Sequence, residues 1–529
     1  MSLKIAKLAD CSFLRFVYPF TFRPETFDQR EQAIDTNARV WLPAAFPVGE
    51  TLSHVADYLK PPEGKKPPEG KKPPEGQPRA ARLWKLSAQN HNPLRLTPDI
   101  RGSIIAGKRE IPFTFGGSQK NSSVIELALF RIGVGFLTVT VRPADPDVGA
   151  WLAFLHYFRV MGGSHNVSLR LLAPADVQRI SQFSTEDPKG SNFSHILDTL
   201  LSTAALPEET KEWWHDVFVP GRMIPFGALF VDGLESEAER AALLYRVRNF
   251  FREEQIVIAT TEELQIKGNP AFMPYADGQQ FVFSLQGGSF VAFDAPETEF
   301  FRVTLPSHLR DEYFLVFLLT LHQRFTLMRL SQRVTERWSE GEDKRAINFA
   351  RIREQFLEFS ARGYFVQVMQ RDHHHRFYRK WHEVFEMDQL YQEVREEVRE
   401  IHEYLRMNQA ERARETQEEM QKFQVSAQKT QQAQTNLITY IVAALTLTCA
   451  VFGFMSINIQ GMNVPSVSQR FAEALVGGVA VASALLILPA LLHVCKVKRE
   501  VEQDHKASRV GRSEPLSPPC ASVIAPPER

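Results

Sequence analysis

A line of polar and small side chains runs along one apolar segment near the C-terminus of this 529-residue chain. Its members recur three, four or seven positions apart, which places them on one helix face: Thr439, Thr446, Cys449, Gly453, Ser456, Gln460 and Asn463. Small and hydroxyl-bearing residues suit the wall of a pore, but they also suit close helix packing in lipid. The sequence leaves both interpretations open, and Val442 interrupts the line.

Two apolar segments supply the helices that must position this line. Residues 437–459 and 474–495 carry no Asp, Glu, Lys or Arg. At about 1.5 Å per residue the first would reach about 34 Å as a helix, enough to cross the hydrocarbon core of a bilayer. Buried helices of soluble proteins rarely lack charge on every face for so long. The sequence therefore predicts two transmembrane helices.

Basic residues beside the two spans predict their orientation. Lys422 and Lys429 precede the first span, and Arg470 alone lies between the spans. Other basic residues follow the second span, namely Lys496, Lys498, Arg499 and Lys506. Because basic residues favour the cytoplasmic side, we expect both termini to be cytoplasmic. The N-terminus has no signal-like apolar stretch, so the C-terminal spans would target the protein, to a plasma or inner membrane rather than an organelle.

Composition and residue pattern divide the chain into successive segments. We expect an N-terminal part of the cytoplasmic domain, a Pro/Gly/Lys repeat linker, an α/β cytoplasmic domain, a helical cytoplasmic segment and a stalk helix. The first transmembrane helix, an external loop, the second transmembrane helix and a basic, disordered tail follow. In that order the boundaries are 1–59, 60–80, 81–305, 306–375, 376–436, 437–459, 460–473, 474–495 and 496–529.

The soluble part combines strand and helix patterns. Alternating residues at 124–130 and 136–141 predict a β-hairpin, and those at 280–293 predict a second one that turns at Gly287-Gly288. A further strand is predicted at 223–231, and helical spacing is found at 147–161 and 235–253. The apolar stretch 313–328 contains His322, Gln323 and Arg324, which would be expensive in lipid, so it predicts a core helix.

A long stalk helix is predicted to enter the membrane. Residues 364–452 contain neither Gly nor Pro, the residue types that most often interrupt helices. In its first part apolar residues recur every three or four positions, at Met387, Tyr391, Val394, Val398, Ile401 and Leu405. Such a repeat suits a seam between parallel neighbouring helices. A continuous helix over 376–459 would reach about 125 Å, a length that makes sense in an oligomer.

The link between the spans contains Gly461, Met462 and Asn463, and here the chain resembles the CorA family of divalent-cation channels. The hallmark of that family is a Gly-Met-Asn triplet that ends the first of two C-terminal spans. The resemblance extends to the order of the parts. It covers an α/β cytoplasmic domain, a stalk helix that runs into the first span, a short external loop, a second span and a basic tail.

The resemblance implies a homopentamer in which the first span lines an axial pore and the second span packs outside it. Five copies of Asn463 would place side-chain carbonyls at the outer mouth, where they bind Mg²⁺ through its water shell. Asn463 also suits the end of a helix as a cap. Mg²⁺ would be the transported ion and a regulatory ion, with Co²⁺, Ni²⁺ or Zn²⁺ as other cargo. We expect no other cofactor, and the partners are further copies of the chain, membrane lipid and divalent cations.

The usual register of the family selects a different face of the first span, at Asn458, Phe454, Val451, Leu447, Ala443 and Tyr440. This face is more apolar and would gate by dewetting. The two registers conflict, and the sequence leaves both open. After the second span, Lys496, Lys498 and Arg499 match the basic cluster of the family. They would either raise a barrier to cations at the pore exit or anchor the tail to anionic lipid.

Three features depart from the family pattern. Gln460 stands where an aromatic residue is usual, and the first span lacks a proline. The loop residues 464–472 carry only Arg470, where an acidic residue is common. These departures favour a second hypothesis, a membrane-anchored coiled-coil scaffold or signalling protein whose spans serve only as a tether.

Other chemistries fit the sequence poorly, and we expect no enzyme. The 62 basic and 62 acidic side chains give zero net charge, which argues against a nucleic-acid partner. His373, His374 and His375 are adjacent instead of three or four residues apart, which favours a helix hinge over a metal site. Residues 102–108 approach the spacing of a phosphate-binding loop, but Arg109 stands where Ser or Thr is required.

Overall fold

A computed structural model describes residues 6–60, 79–87, 101–106, 109–116, 124–160, 167–172, 192–206, 213–217, 222–256 and 259–459, with separate helical positions between Glu473 and Gln503. The chain divides into two compact units, Met1–Leu405 and Arg406–Arg529.

The first unit is built on one mixed sheet, which has 14 strands in the described residues. The strands are β1 Lys7–Leu8, β2 Phe13–Thr21, β3 Trp41–Ala44, β4 Ala81–Leu86, β5 Arg101–Ala106, β6 Arg109–Phe115, β7 Ile125–Phe130, β8 Val134–Pro143, β9 Val167–Leu172, β10 His215–Asp216, β11 Ile224–Asp232, β12 Phe272–Ala276, β13 Gln279–Ser284 and β14 Gly287–Phe293. The main path runs β12-β13-β14-β11-β2-β8-β6-β5-β9, and a branch from β8 runs through β7 and β4 to β3. Among these described pairs only β11 and β14 are parallel.

Helices lie between the strands and follow them along the chain. They are α1 Phe27–Thr36, α2 Ser53–Leu59, α3 Val148–Phe158, α4 Asn192–Ser202, α5 Glu237–Asn249, α6 Thr261–Leu264, α7 Leu305–His308, α8 Phe314–Trp338, α9 Glu342–Arg362, α10 Asp372–Val384 and α11 Met387–Ile459. A 3₁₀ turn, Pro24–Thr26, precedes α1, and the π-helical segments Phe300–Thr304 and Leu309–Tyr313 flank α7.

The sheet carries a hydrophobic core on each face, because successive side chains of a strand point to opposite sides. On β2, Phe16 and Phe20 belong to one core, which also contains Phe154 of α3. Val17 of the same strand belongs to the other core, which contains Phe317 of α8. The first unit is therefore a three-layer α/β structure, and the sequence prediction of an α/β domain is confirmed.

Several local predictions are confirmed by the structure. The hairpin predicted at 124–141 is β7 and β8, and the predicted core helix is α8, with His322 and Gln323 fully buried. The second hairpin is present as β13 and β14, but its predicted turn is wrong by two residues. Gly287 already pairs with Ser284, so the turn residues are Leu285 and Gln286.

The α/β domain is larger than the segment 81–305 suggested. Strand β2, which precedes the repeat at 60–80, pairs with both β8 and β11 in the middle of the sheet. Helices α8, α9 and α10 cover one face and belong to the same compact unit, which ends at Leu405. Segment boundaries drawn from composition therefore divided one folded unit. Residues 61–78 of the repeat lie outside the described part of the chain.

The stalk helix does not run unbroken from residue 376, and that prediction is wrong. Helix α10 ends at Val384, and α11 begins at Met387 after Glu386 adopts a left-handed backbone with φ of 50°. Phe385 and Met387, on either side of the break, are both buried in the core. Tertiary packing therefore sets this turn, although no Gly or Pro marks it in the sequence.

The apolar repeat of the stalk serves a different purpose from the one predicted. Met387, Val394, Val398 and Ile401 are buried within the first unit's own core, in the same cluster as side chains of α8 and α9. In the described structure these residues pack within the chain rather than form a seam between chains. The opposite face of the helix carries exposed acidic side chains, namely Glu393, Glu396, Glu400 and Glu403.

Candidate membrane-spanning helix

Helix α11 is the described helix that is long and apolar enough to cross a membrane. Most of its described apolar side chains beyond residue 437 are exposed, unlike those of the buried helix α8. Ile438, Val442, Leu445 and Leu447 are between 44% and 61% exposed. Full exposure of a large aliphatic side chain to water forgoes about 1.5–3 kcal/mol of burial free energy. A lipid environment around this segment removes that cost.

One face of α11 in the second unit is covered, and we call it the covered face. Ala433 and Ala444 are buried, and neighbouring positions on the same face are half-buried. The complete covered face comprises Ser426, Thr430, Ala433, Leu437, Ala444 and Thr448. Small residues at this spacing allow another helix to approach closely. This face was not predicted from the sequence, although the spacing of its members by three, four and seven residues is typical of one helix face.

The polar line predicted from the sequence lies away from the covered face. Thr439, Thr446, Cys449 and Gly453 are all exposed. At about 100° per residue they point about 120° to 200° away from Leu437 around the helix axis. The alternative apolar register, which includes Tyr440, Ala443 and Leu447, lies about 60° to 120° away on the other side. The side chains of the remaining predicted face residues, Ser456, Asn458, Val451 and Phe454, are not among those described.

The threonine hydroxyls of the polar line have a defined orientation. Thr439 Oγ1 donates a hydrogen bond of 2.9 Å to the carbonyl oxygen of Thr435, and Thr446 Oγ1 donates one of 2.7 Å to that of Val442. The single hydroxyl proton of each is therefore used within the helix. The oxygen lone pairs that remain can only accept hydrogen bonds. Acceptors without a free donor suit the water shell of a cation, whose hydrogens point outward.

The predicted selectivity residues follow the described part of α11 in the sequence. That part reaches Ile459, while Gln460, Gly461, Met462 and Asn463 lie outside the described residues. Their predicted roles therefore stay predictions. Their position is known only from the sequence.

The region of the second predicted span is described at separate positions. Every described position from Glu473 to Gln503 is helical and exposed, including Lys496 and Arg499 of the basic cluster. Lys498 lies outside the described residues. A second membrane-spanning helix stays a prediction.

The histidine triplet forms the first turn of α10 in the first unit. His374 is buried, and its Nε2 lies 3.2 Å from Glu312 Oε2, while the rings of His373 and Tyr275 meet edge to face. Among the described residues no group of three His, Cys, Asp or Glu side chains could hold a metal ion. The triplet therefore begins a helix and pairs with one acid, which differs from the predicted hinge.

Residues 102–108, with the spacing of a phosphate-binding loop, do not form one. Residues 101–106 are strand β5, which pairs with β6 from Arg109 onward. A phosphate-binding loop requires a strand followed by a loop and a helix N-terminus. A β-hairpin has neither the loop nor the helix.

The fold defines a protein with a large three-layer α/β unit that continues into one helix long and apolar enough to cross a membrane. No family model, no curated protein and no solved structure matches the chain. The resemblance to the CorA family therefore rests on the Gly-Met-Asn triplet and the order of the parts.

Proposed function

We propose that the chain is a divalent-cation channel, with Mg²⁺ as its main cargo, and not an enzyme. One observation carries the proposal: a single helix, α11, packs at its start in the core of the α/β unit and is described as far as Ile459, two positions before Gly461 in the sequence. A signal in the α/β unit would thus have a covalent, helical route to the mouth of a pore. Co²⁺, Ni²⁺ and Zn²⁺ are further candidate ions.

The proposed assembly is a homopentamer with α11 around the axis. Helix 474–495 spans the membrane outside α11, both termini are cytoplasmic, and the protein resides in a plasma or inner membrane. The covered face supports this arrangement, because a second span packed on Ala433 and Ala444 would leave the polar line of Thr446 and Gly453 free to face the axis. The polar register is therefore our choice for the pore wall.

Asn463 recognises the ion through its water in this proposal. A hydrated Mg²⁺ gives up its water reluctantly, so side-chain carbonyls that accept hydrogen bonds from that water avoid the dehydration cost. The hydroxyl oxygens of Thr439 and Thr446 continue the same chemistry along the pore, since their protons are already used within the helix.

Uptake of divalent ions into liposomes that contain the purified full chain tests the proposal. We expect Mg²⁺ uptake by the parent protein, its loss in Asn463→Ala and its retention in Asn436→Ala, a matched change near the other end of the span. Loss of uptake with an intact oligomer would assign the triplet to permeation. No uptake of Mg²⁺, Co²⁺, Ni²⁺ or Zn²⁺ by intact oligomers, with the cytoplasmic side free of Mg²⁺, would instead support the membrane-anchored scaffold.

A further inference from the structure

A cleft of about 400 Å³ opens on the first unit between the end of α5, the β13–β14 turn and α10. Its walls are mainly apolar, with Phe250, Phe283 and Leu285, while Arg248 and Gln286 add polar groups. Glu383 lies at the rim and pairs with Lys380 at 2.9 Å. Pockets of this volume, apolar with a few polar groups, are typical of small-molecule sites.

The guanidinium group of Arg159 lies behind the wall of this cleft. The residue is only 8% exposed, and its Nη1 donates a hydrogen bond of 2.5 Å to Gln286 Oε1. Its Cζ lies 4.7 Å from the centroid of the Phe250 ring. Its Nε has no hydrogen-bond partner. Both contacts that hold the guanidinium are therefore residues that line the cleft.

Two further arginines lie close to Arg159 or to its neighbour His156. Arg222 forms a β-bridge with Val160, and the Met223 amide donates a hydrogen bond of 2.8 Å to the Arg159 carbonyl oxygen. Arg252 donates a hydrogen bond to the Tyr157 hydroxyl. Burial, followed by the charges of Arg159, Arg252 and Arg222, lowers the pKa of His156, against a hydrogen bond to the Phe250 carbonyl oxygen that raises it. Three guanidinium groups thus act on one imidazole.

No carboxylate acts on Arg159 in the described part of the chain, where the influences on its guanidinium group are burial and the charge of Arg222. The Glu253 carboxylate, next in sequence to Arg252, lies beside Gly149 at the opposite end of α3. Burial lowers the pKa of Arg159 to about 10, and no acid opposes that effect. A buried cation without a carboxylate partner is costly, and an anion in the cleft would lower that cost.

We propose that this cleft binds a phosphate ester of about the size of a mononucleotide, with its phosphate on Arg159 and Arg222 and its body against Phe250 and Leu285. Arginine suits this role because its planar fork matches phosphate oxygens in pairs. Gln286 is exposed on the β13–β14 turn, so its carboxamide can swing away and give up Arg159 Nη1 to the phosphate. Leu285, also exposed, covers the apolar body of the ligand.

Calorimetric titration of the full chain in detergent tests the proposal with AMP, a short-chain phosphatidic acid and inorganic phosphate as separate probes. We expect AMP or the phosphatidic acid to bind at least about tenfold more tightly than inorganic phosphate, because only an ester has an organic group that can pack against the apolar walls of the cleft. If AMP binds more tightly than the phosphatidic acid, the ligand is a soluble phosphate ester. If the phosphatidic acid binds more tightly, the ligand is a lipid headgroup. No heat with any probe at millimolar concentration overturns the proposal.

Substitutions locate the binding in the cleft. Arg222→Ala should weaken binding of the tighter ester about tenfold, and Arg159→Lys should weaken it as well, since lysine keeps the charge but loses the fork. Arg395→Ala, an exposed arginine on α11, is the matched control and should leave the affinity unchanged. Equal effects of Arg222→Ala and Arg395→Ala would place the binding elsewhere. Near-ultraviolet circular dichroism identifies any variant that fails to fold. If Arg159→Lys does not fold, Arg222→Ala decides the test, since Arg222 is only half-buried.

Discussion

The imidazole ring of His322 stacks on the ring of Phe130, with the centroids 3.9 Å apart and the planes 12° from parallel. The contact joins α8 to the end of β7 and so ties the helical layer to the sheet. The Tyr58 hydroxyl lies 2.9 Å from Nε2, and Thr326 Oγ1 lies 3.3 Å from Nδ1. Both ring nitrogens have partners, and complete burial lowers the pKa of His322 to about 3.

We expect acid to destabilise the first unit through this histidine. The unfolded chain takes up a proton at His322 below about pH 6.5, whereas the folded chain does not until about pH 3. The free energy of unfolding therefore falls as pH drops through that window, by up to about 1.4 kcal/mol per pH unit. Burial also lowers the pKa of His382, to about 4, so this histidine acts in the same direction. Urea unfolding followed by tryptophan fluorescence between pH 7.5 and 5 measures the slope.

The contribution of His322 is isolated by His322→Gln, which cannot take up a proton. Its stability should be lower at pH 7.5 but less dependent on pH than that of the parent. His54→Gln, an exposed change on α2, should keep the parent slope. The same slope in all three proteins would contradict the assignment.

The break between α10 and α11 makes one substitution favourable. Glu386 is exposed and holds φ at 50°, a region that disfavours residues with a Cβ. We expect Glu386→Gly to raise the free energy of unfolding by about 0.5–1 kcal/mol, as measured by denaturant titration. The same change at Glu400, an exposed helical position on α11, should lower it by about 1 kcal/mol. Destabilisation of similar size at both sites would argue against strain at Glu386.

Local patterns were predictable where neighbours in sequence decide the structure. The β7–β8 hairpin followed from alternation, and the buried helix α8 followed from the cost of His322 and Arg324 in lipid. The turn at Glu386 was not predictable, because the burial of Phe385 and Met387 sets it and no local signal marks it. The repeat through Val394 and Val398 has the same spacing whether it packs within one chain or between chains.

The candidate membrane-spanning helix was predictable only where neighbours in sequence decide which residues share a face. The polar line through Thr446 and Gly453 is a property of one helix and could be read from spacing. The covered face around Ala444 needs a contact that the spacing of small residues only suggests. The cluster around Arg159 and Arg222 was invisible in the sequence, since separate segments bring its members together only in the fold.

A buried ion pair links two strands that flank β8. Arg15 of β2 forms an ion pair with Glu126 of β7. It also donates a hydrogen bond of 2.8 Å to the Arg310 carbonyl oxygen, and its Cζ lies 3.6 Å from the centroid of the Phe314 ring. Arg15→Met removes the buried cation and leaves Glu126 with Lys85, whose Nζ lies 3.7 Å away and whose side chain is 44% exposed. We expect a loss of about 3 kcal/mol in the free energy of unfolding.

A double-mutant comparison separates the ion pair from packing. Adding Glu126→Gln to Arg15→Met should recover part of the loss, because the partly buried carboxylate that lost Arg15 is then replaced by a neutral amide. Arg399→Met breaks an exposed pair with Glu396 and should cost at most about 1 kcal/mol. If the double variant were less stable by the full sum of the two single changes, the pair would not be coupled.

Cysteine accessibility decides between the two registers of the proposed pore face. In a Cys449→Ser background, Thr446→Cys should react with a charged, membrane-impermeant thiol reagent and lose Mg²⁺ uptake, because Thr446 lies about 180° from Leu437 of the covered face. Leu447→Cys, one position further, should stay unreactive and keep its uptake, and the background protein alone corrects for the remaining cysteines. Reaction at Leu447→Cys with protection at Thr446→Cys would select the apolar register instead. Protection at both positions in an intact oligomer would mean that water does not reach this helix, which is the behaviour of a tether and not of a channel.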